Sequence, residues 1–306
     1  MTTPTIPNLK HLPFGGAEAV VNATEIYKAR LAAKQAVIDD CLLDRTIHET
    51  FVNKYREWIM SSKLNRVVGL ENFPIAAYSN GTTEAFDKFY LKNHTRRFRC
   101  FRGEYMYHQA SWRNYCPSWQ FLDDGPILAG DAVVISLPFS DIGDEHPQMQ
   151  ATLDACQKLG VPVLVDCAYF GICNDITFDF THPAITDLTF SLSKFLPVAH
   201  LRIGVRFTRT DDDDSLLVSH KTQYINRVGA AVGLSIFDTY TPDDICYRYK
   251  AAQINLCSEL GVSPSKCVIF GIDINQVYPQ YNRGYISNRL CLSRYLYSNK
   301  LPEIIK

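Results

Sequence analysis

A lysine between hydroxyl residues, Lys194, is the first residue of the sequence with a clear chemical use. It comes just after the end of a predicted strand, Ser191 and Ser193 precede it, and Arg202 comes eight residues later. A lysine amine can form an imine with a carbonyl group, and it can also act as a general base. The alternative is a lysine in a surface loop, which is the commonest position for this residue type.

A carboxylate at the end of an apolar run is the second feature. Residues 163–165 are apolar, Asp166 follows them, and Tyr169 comes three residues after the acid. The carboxyl ends of parallel strands face the ligand crevice of an α/β sheet, so an acid there is a candidate functional group. A helix cap is the alternative interpretation of Asp166.

A turn rich in hydroxyl residues is the third feature. Residues 79–85 read Ser-Asn-Gly-Thr-Thr-Glu-Ala, after an apolar strand and at the start of a helical pattern. Free backbone N–H groups, a helix dipole and hydroxyl groups suit a phosphate. An ordinary turn in which threonine caps the helix is the alternative.

These three segments belong to a pattern of short apolar runs that alternate with helical stretches. The predicted strands are 75–78, 97–101, 132–137, 161–165, 187–191 and 204–207. Helices are predicted at 83–90 and at 146–159, where Gly160 supplies a stop signal. This alternation indicates an α/β fold with a sheet of parallel strands.

The two ends of the chain follow other patterns. Residues 1–16 read as an irregular arm, and residues 17–63 carry apolar side chains at helical spacing. A long helix is predicted at 242–260, closed by Gly261, and strands are predicted at 267–272 and 289–292. The end of the sequence therefore predicts a small α+β unit.

Composition narrows the classes of partner. The chain has 306 residues, of which 46% are apolar and 21% charged, with 31 Lys and Arg against 32 Asp and Glu and a net charge of -1. A protein that binds nucleic acid through its phosphates is normally basic, so that class is disfavoured. A small molecule or another protein is the expected partner.

The cysteines and the apolar runs argue against several other classes. The ten cysteines include no C-x-x-C pair, so structural zinc is not supported and we expect no metal. A disulfide scaffold is not expected either, because a chain of this size can build a core without one. The acidic run 211–214 is interpreted as a solvated loop or a helix start. The first ten residues lack the apolar region of a signal peptide, and the apolar run 228–237 is too short to span a bilayer. We therefore predict a cytoplasmic protein with no membrane partner.

Together, in this order and with these gaps, the three segments resemble the pyridoxal-phosphate (PLP) enzymes of the aspartate aminotransferase fold, called fold type I. The similarity is to the class I/II aminotransferases, and it covers residues 73–207 best and the first 65 residues least. It implies that Lys194 forms the Schiff base with the cofactor, that Asp166 pairs with the pyridine nitrogen, and that Tyr169 hydrogen-bonds the phenolate oxygen. The fold that it implies is a large domain with a mostly parallel sheet and a small α+β C-terminal domain.

The resemblance also assigns the remaining cofactor and substrate contacts. The phosphate is expected to be held by Asn80, Gly81, Thr82, Ser191 and Arg202, with Ser193 next to the lysine as a weaker candidate. Tyr105 is the candidate for stacking on the cofactor ring, with Tyr107 as the second choice. Arg289 matches the arginine that binds the substrate α-carboxylate, for which a planar, bidentate guanidinium is well suited.

The sequence departs from the family in one stretch. An asparagine of the family normally reaches the phenolate oxygen from an Asn-Pro-x-Gly-like segment, which here corresponds to residues 137–143, and Ser140 falls near the asparagine position. Arg227 is a candidate for reaching a substrate side chain across a dimer interface. The alternative for Arg227, which is favoured, is an arginine on a surface helix.

The resemblance predicts three regions and one leading activity. Residues 1–50 form an N-terminal arm and helices that belong to the small domain and the dimer interface, 51–240 form the PLP domain, and 241–306 form the small C-terminal domain. The expected activity is amino transfer between an amino acid and a 2-oxo acid, in a homodimer with the active site at the interface. Elimination, substitution, decarboxylation or racemisation on the same fold, and a non-catalytic PLP-binding module, are the alternatives.

Overall fold

Helices dominate residues 23–60 and then recur between and after the strands. The computed structural model describes residues 9–35, 38–211 and 214–298. Its α-helices are α1 (Ala23–Gln35), α2 (Ile38–Leu43), α3 (Ile47–Met60), α4 (Thr82–Lys92), α5 (Tyr107–Ser111), α6 (Met149–Leu159), α7 (Ser215–Lys221), α8 (Arg227–Thr239) and α9 (Asp244–Leu260). The predicted arm is described only from residue 9, where it begins with one short 3-10 turn, Leu9–His11.

Seven strands form one large sheet. The strands of the described residues are β1 (Arg66–Val68), β2 (Ile75–Ser79), β3 (Arg97–Cys100), β4 (Trp119–Phe121), β5 (Asp131–Ser136), β6 (Val163–Cys167), β7 (Thr177–Asp179), β8 (Ile185–Ser191), β9 (Gly204–Thr208), β10 (Ser263–Pro264), β11 (Phe270–Asp273) and β12 (Asn288–Cys291). The order in the large sheet is β2-β9-β8-β6-β5-β3-β4. Only β9 runs antiparallel to its neighbours β2 and β8. The mostly parallel α/β sheet is therefore confirmed.

The large sheet is buried on both faces. Val133 and Ile135 of β5 belong to one apolar cluster and Ala132 and Val134 to another, because successive residues of a strand point to opposite faces. Helices α3 and α8 pack over the first face through aromatic rings, and α4 contributes aromatic residues to the second cluster. Burial on both sides explains why these strands read as continuous apolar runs.

The carboxyl ends of the central strands bring the predicted functional segments together. Ser136 at the end of β5 lies beside Asp166 of β6, and Asp166 lies beside Thr189 of β8. The predicted strand 161–165 starts too early, since β6 begins only after Pro162, which has no N–H group for the ladder. Asp166 is therefore the next-to-last residue of β6 and does not follow the strand.

A small antiparallel sheet forms towards the C-terminus. Strands β10, β11 and β12 pair in that order, and α9 precedes them and ends at Gly261, whose φ of 68° lies in the left-handed region. The predicted helix 242–260 and the two predicted strands are thus present, with bounds that differ by at most three residues. The N-terminal segment joins this sheet, because the N–H group of Cys291 donates to the carbonyl of Phe14 at 2.8 Å. The domain division itself stays a prediction.

The acidic run and the cysteines have structural roles. Asp214 caps α7 by accepting a hydrogen bond from the N–H group of Leu217 at 2.9 Å, and it pairs with Arg206; residues 212 and 213 lie outside the described residues. Asp214 thus matches the helix start, and the exposed Asp211, which precedes the helix, matches the solvated loop. All ten cysteines are buried free thiols. Among the helices of the described residues, none has the length and apolar character needed to cross a membrane.

Candidate active site

A cavity of about 220 Å³ opens at the carboxyl edge of the large sheet. Its wall combines strand ends, the start of α4, the loop after β8, strand β12 and the N-terminal segment. The predicted site residues that line it are Thr82, Tyr105, Asp166, Tyr169, Ser193, Lys194, Arg202 and Arg289. Residues from five separate parts of the sequence therefore meet in one place.

Lys194 lies in the loop that follows β8 and projects into this cavity. Burial lowers the pKa of its amine, and the nearby cations Arg289 and Arg202 act in the same direction. The surface-loop alternative for Lys194 is therefore not what the structure shows. An amine with a lowered pKa is easier to deprotonate, as both imine formation and general-base catalysis require.

Asp166 is buried near the floor of the cavity, with 5% of its surface exposed. Burial raises the pKa of its carboxyl to about 8, and the nearby carboxyl of Glu104 adds to the shift. The N–H group of Ala168 donates to its Oδ1 at 3.0 Å, which favours the charged form but does not offset burial. Among the described residues, Lys194 is the cation that favours the charged form of Asp166, but its effect is smaller than that of burial, so the carboxyl is suited to a cationic partner from a ligand.

Glu104 is a buried acid that the sequence did not single out. Its carboxylate accepts hydrogen bonds from the N–H group of Ser136, at 2.8 Å, and from the Ser136 hydroxyl. Burial raises its pKa to about 7. Its position next to the predicted ring-stacking residue Tyr105 was the only available signal, and it did not indicate a second carboxyl group close to Asp166.

Tyr169 and Arg289 meet in the wall of the cavity. The Arg289 Nη1 atom donates to the Tyr169 hydroxyl at 3.4 Å and to the carbonyl of Ser140. The guanidinium lies over the ring of Phe270, 4.4 Å from its centroid, and that ring also packs edge-on against Tyr169. These contacts fix the orientation of both predicted residues, with Arg289 only 4% exposed.

The start of α4 forms a cradle with Arg202. The Arg202 Nη2 atom donates to the carbonyl of Asn80 and to the Thr83 hydroxyl, both at 3.0 Å. Gly81 precedes the helix with a φ of 76°, and a Cβ atom there would lie 2.2 Å from Arg202 Nη2. Glycine is therefore required for the guanidinium to approach the first N–H groups of the helix. A cation and a helix N-terminus side by side make a site suited to an anion.

Three predicted phosphate contacts do not reach the cavity wall. The Asn80 side chain and its N–H group both bond to Glu84, at 3.0 and 2.7 Å. Ser191 donates to the carbonyl of Ile203 at 3.1 Å and bonds to the Ser193 hydroxyl at 2.7 Å. Gly81, like Asn80 and Ser191, is absent from the lining. The direct phosphate contacts assigned to these three residues stay predictions, whereas Thr82 and Thr83 do line the cavity.

Tyr105 and Tyr107 stack on each other at the mouth of the cavity. Their ring centroids are 6.1 Å apart and the ring planes differ by 13°. Tyr105 lines the cavity and is 38% exposed, whereas the hydroxyl of Tyr107 donates to Asp87 at 2.7 Å. Of the two predicted stacking residues, only Tyr105 therefore has a ring that a ligand in the cavity can contact.

A second arginine, Arg283, lies beside Arg289. Its Nη1 atom is 3.3 Å from the carbonyl oxygen of Ser140 and 3.4 Å from the Ser140 hydroxyl. Asp141 is 3.8 Å from the same Nη1 atom and is completely buried. The sequence prediction missed both residues, because Arg283 belongs to the irregular loop between β11 and β12, where no periodicity marks it. Ser140, predicted to fall near the position of the family's asparagine, lines the cavity and accepts hydrogen bonds from both arginines.

The N-terminal segment closes one side of the cavity. Leu9, Lys10 and residues 15–17 line it. A Cβ atom on Gly15 would lie 1.6 Å from the carbonyl oxygen of Leu9, so this turn requires glycine. The sequence predicted an irregular arm here but did not predict its contribution to the site, since irregular segments carry no pattern that shows what they cover.

Arg227 lies away from the cavity. It begins α8 and donates to the carbonyls of Cys41 and Asp44 and, at 2.8 Å, to the Gln223 side chain. These partners belong to the same chain and link the end of α2 to α8. The role of Arg227 in substrate binding stays a prediction, and its contacts are those of a structural residue.

Comparison with protein-family models gives no match, and comparison with curated proteins gives none. Solved structures do match. A probable N-succinyldiaminopimelate aminotransferase from Thermus thermophilus has a TM-score of 0.64 at 12% identity, over 94% of this chain and 91% of that one. Tyrosine aminotransferase from Leishmania infantum scores 0.64 at 14% identity, over 97% and 93%. The PLP-bound C-S lyase from Staphylococcus hominis scores 0.63 at 10% identity, over 94% and 88%. The chain has their fold.

The structural matches thus confirm the fold that the three segments of the sequence predicted. They also cover most of the first 65 residues, where the sequence resemblance was weakest, since more than nine-tenths of the chain is covered in each case. The matched proteins catalyse more than one reaction, so the fold alone does not choose between them.

Proposed function

We propose that this chain is a PLP-dependent aminotransferase that moves an amino group between an amino acid and a 2-oxo acid. The observation that carries the proposal is the meeting of Lys194, Asp166 and Arg202 in one cavity. An amine, a buried carboxylate and an anion-binding helix start are the three groups that the cofactor needs. The fold of aminotransferases, found at more than nine-tenths coverage, supports the same conclusion.

The residues of the cavity fit the cofactor at each of its functional groups. Arg202 and the start of α4 would hold the phosphate, and Gly81 leaves the cradle open. Asp166 would pair with the protonated pyridine nitrogen, which offsets the cost of burying its charge. Lys194 would hold the aldehyde carbon covalently, and Tyr169 would donate to the phenolate oxygen. When bound, pyridoxal phosphate supplies an electron sink for negative charge at the substrate Cα.

Arg289 and Lys194 would select amino transfer among the reactions of this cofactor. Arg289 is held by Tyr169 and Ser140 and would bind the substrate carboxylate in a fixed orientation. The Cα–H bond is then free to face Lys194, which would remove the proton as a general base. The lowered pKa of Lys194 suits that step.

Elimination at the β-carbon is the second candidate. The observation that favours it is the similarity to a C-S lyase at nearly the same TM-score as to the aminotransferases. Such an enzyme would use the same groups up to the loss of the Cα proton. The two candidates differ in product, because elimination releases ammonia and a 2-oxo acid without consuming an acceptor.

The test uses the full chain loaded with pyridoxal phosphate. Reduction with borohydride followed by peptide mapping should place the cofactor on Lys194, and Lys194→Ala should abolish the label. The loaded protein is then incubated with single amino acids, with and without a 2-oxo acid acceptor. Conversion of the cofactor to pyridoxamine phosphate, reversed by the acceptor, supports the aminotransferase. Ammonia release without an acceptor supports the lyase, and a label on another lysine would exclude both.

A homodimer and the three-region division are parts of the same proposal. Leu42, Leu43, Tyr224 and Val228 are between 52% and 89% exposed and lie near the Arg227 contacts that join α2 to α8. An apolar patch of this kind is typical of an interface. We expect Leu43→Asp to shift the chain towards monomer in light scattering, while an unchanged mass would show that the interface lies elsewhere.

The regions 1–50, 51–240 and 241–306, and a cytoplasmic location, stay proposals.

A further inference from the structure

Two guanidinium groups converge on one carbonyl oxygen inside the cavity. Arg289 donates to the carbonyl of Ser140, and the Nη1 atom of Arg283 is 3.3 Å from the same oxygen. Arg283 is 7% exposed and Arg289 is 4% exposed, and both line the cavity. The two residues come from different elements, since Arg289 lies on β12 and Arg283 in the loop before it.

The positive and negative charges do not balance in the cluster formed by Arg283, Arg289 and Asp141. Asp141 is 3.8 Å from Arg283 and fully buried, and neither of its carboxylate oxygens has a hydrogen-bond partner among the described residues. Its pKa is raised to about 6 by burial, while that of Arg283 is lowered to about 10 by burial and by Arg289. The guanidinium groups of both arginines are cations, and among the described residues Asp141 is the only carboxyl group within 4 Å of either. Two buried cations that share one ion-pair partner leave positive charge to be compensated in a place with little solvent.

We propose that Arg283 and Arg289 together hold one and the same carboxylate group of the substrate. This inference rests on the proposed function and assigns Arg283 a role in it. A carboxylate has two oxygens and can bridge two guanidinium groups that already share an acceptor. One negative charge also neutralises the excess of the cluster.

A second binding site for a distal anion is the competing interpretation of Arg283. It would require the two arginines to act on separate groups, with one negative charge for each. The shared contact to Ser140 brings the two guanidinium groups together, and Asp141 already offsets one of the two charges. Both observations favour a single carboxylate, so the chemical class of substrate is a monocarboxylate amino acid or oxo acid.

The test measures binding of carboxylates that cannot react. Propionate, succinate and the neutral isostere propionamide are titrated into the full chain by calorimetry, with and without pyridoxal phosphate. We expect propionate to bind, propionamide not to bind, and succinate to bind no more tightly than propionate. Arg283→Gln should weaken propionate binding about tenfold, the scale expected for loss of a charged hydrogen bond. The matched control Arg30→Gln removes an exposed arginine on α1 and should change nothing.

The Asp141→Asn substitution should change the affinity for propionate in the opposite direction from Arg283→Gln. It also separates an effect on binding from an effect on folding. Removal of its negative charge leaves two uncompensated cations, so propionate should bind more tightly while the protein becomes less stable. Propionate binding unchanged in Arg283→Gln would overturn the proposal. A second result would also overturn it: succinate binding about tenfold more tightly than propionate to the unmodified protein, with equal affinities for the two in Arg283→Gln. That result would assign Arg283 to a distal anion. Borohydride labelling of Lys194 does not involve Arg283, so failure of the proposed function is detected separately.

Discussion

Asp166 shows how one residue is prepared for a partner that the chain does not supply. Burial and the neighbouring Glu104 raise its pKa to about 8, so without a cation the carboxyl is largely protonated at neutral pH. A protonated pyridine nitrogen beside it would reverse this preference, at about 1.4 kcal/mol for each unit of pKa. The same burial that disfavours the free carboxylate therefore strengthens its pairing with the cofactor.

We predict that Asp166→Asn separates cofactor binding from turnover. The amide keeps the shape of the side chain but cannot keep the ring nitrogen protonated, so the electron sink is lost while the contacts of Lys194 and Arg202 remain. Turnover should fall by several orders of magnitude, and cofactor content should fall only modestly. Steady-state kinetics and cofactor content measured on the same preparation check this. Near-normal turnover would assign the pyridine nitrogen to another partner.

Single residues were predictable from the sequence where an apolar strand precedes them. Lys194 and Asp166 stand out because they interrupt or follow such runs, and both line the cavity. Glu104 and Arg283 were missed because each depends on neighbours distant in sequence: Glu104 on Ser136, and Arg283 on Ser140. No local pattern distinguishes a loop arginine that is buried from one that is exposed.

At the scale of elements, the approach of β9 to the start of α4 builds the anion cradle. Gly204, the first residue of β9, comes so close to Gly81 that a Cβ atom on it would lie 2.9 Å from the Gly81 Cα. The antiparallel pairing of β2 with β9 sets this distance, because Ser79 and Gly204 are register partners. Two glycines in different segments thus allow Arg202 to reach Thr83.

Gly81→Ala tests the cradle, and Gly160→Ala is its matched control. Both glycines have a positive φ, of 76° and 62°, so alanine is strained at either position. At Gly160, which is in the left-handed region, alanine costs about 1–2 kcal/mol. At Gly81, where ψ is 178°, the backbone is in a region that is essentially restricted to glycine, and alanine costs at least as much. Only at position 81 would the new Cβ also displace Arg202, since nothing lies within 4 Å of the Cβ position at Gly160. We expect both variants to unfold at lower denaturant concentration and only Gly81→Ala to lose affinity for pyridoxal phosphate. Equal affinity in the two variants would contradict the cradle.

The elements themselves were predicted better than their bounds. The apolar run that includes residues 163–165 indicated a strand because the strand is buried on both sides. The strand begins two residues later than predicted, because Pro162 has no N–H group for the ladder. The N-terminal segment was predicted only as irregular, although it covers the cavity and adds the Phe14 carbonyl to the edge of β12. Its place depends on packing against the far end of the chain, which a local pattern does not contain.

At the scale of the whole molecule, two sets of buried titratable groups oppose each other. Burial raises the pKa of Asp166 to about 8 and that of Glu104 to about 7, whereas it lowers the pKa of His146 and His220 to about 4. Above about pH 4.5 the folded chain keeps protons on the two acids that the unfolded chain has lost, which lowers stability as pH rises until the acids ionise. Between about pH 4 and pH 6.5 the unfolded histidines bind protons that the folded ones do not, which raises stability as pH rises and offsets the effect of the acids.

We therefore predict that the stability of the protein without cofactor changes little between pH 5.5 and 6.5 and falls towards pH 8. Urea unfolding at pH 5.5, 6.5 and 8 should give similar midpoints at the first two values and the lowest midpoint at pH 8. Glu104→Gln should reduce the loss between pH 6.5 and 8 and make the midpoint at pH 5.5 lower than that at pH 6.5, because the histidines are then less fully offset, whereas His146→Gln should make the midpoint at pH 5.5 higher than that at pH 6.5. Pyridoxal phosphate should also reduce the alkaline loss, because the ring nitrogen stabilises the Asp166 carboxylate. Stability that rises steadily up to pH 8 would show that the two acids are ionised in the folded chain, and the electrostatic description of the cavity floor would then be wrong.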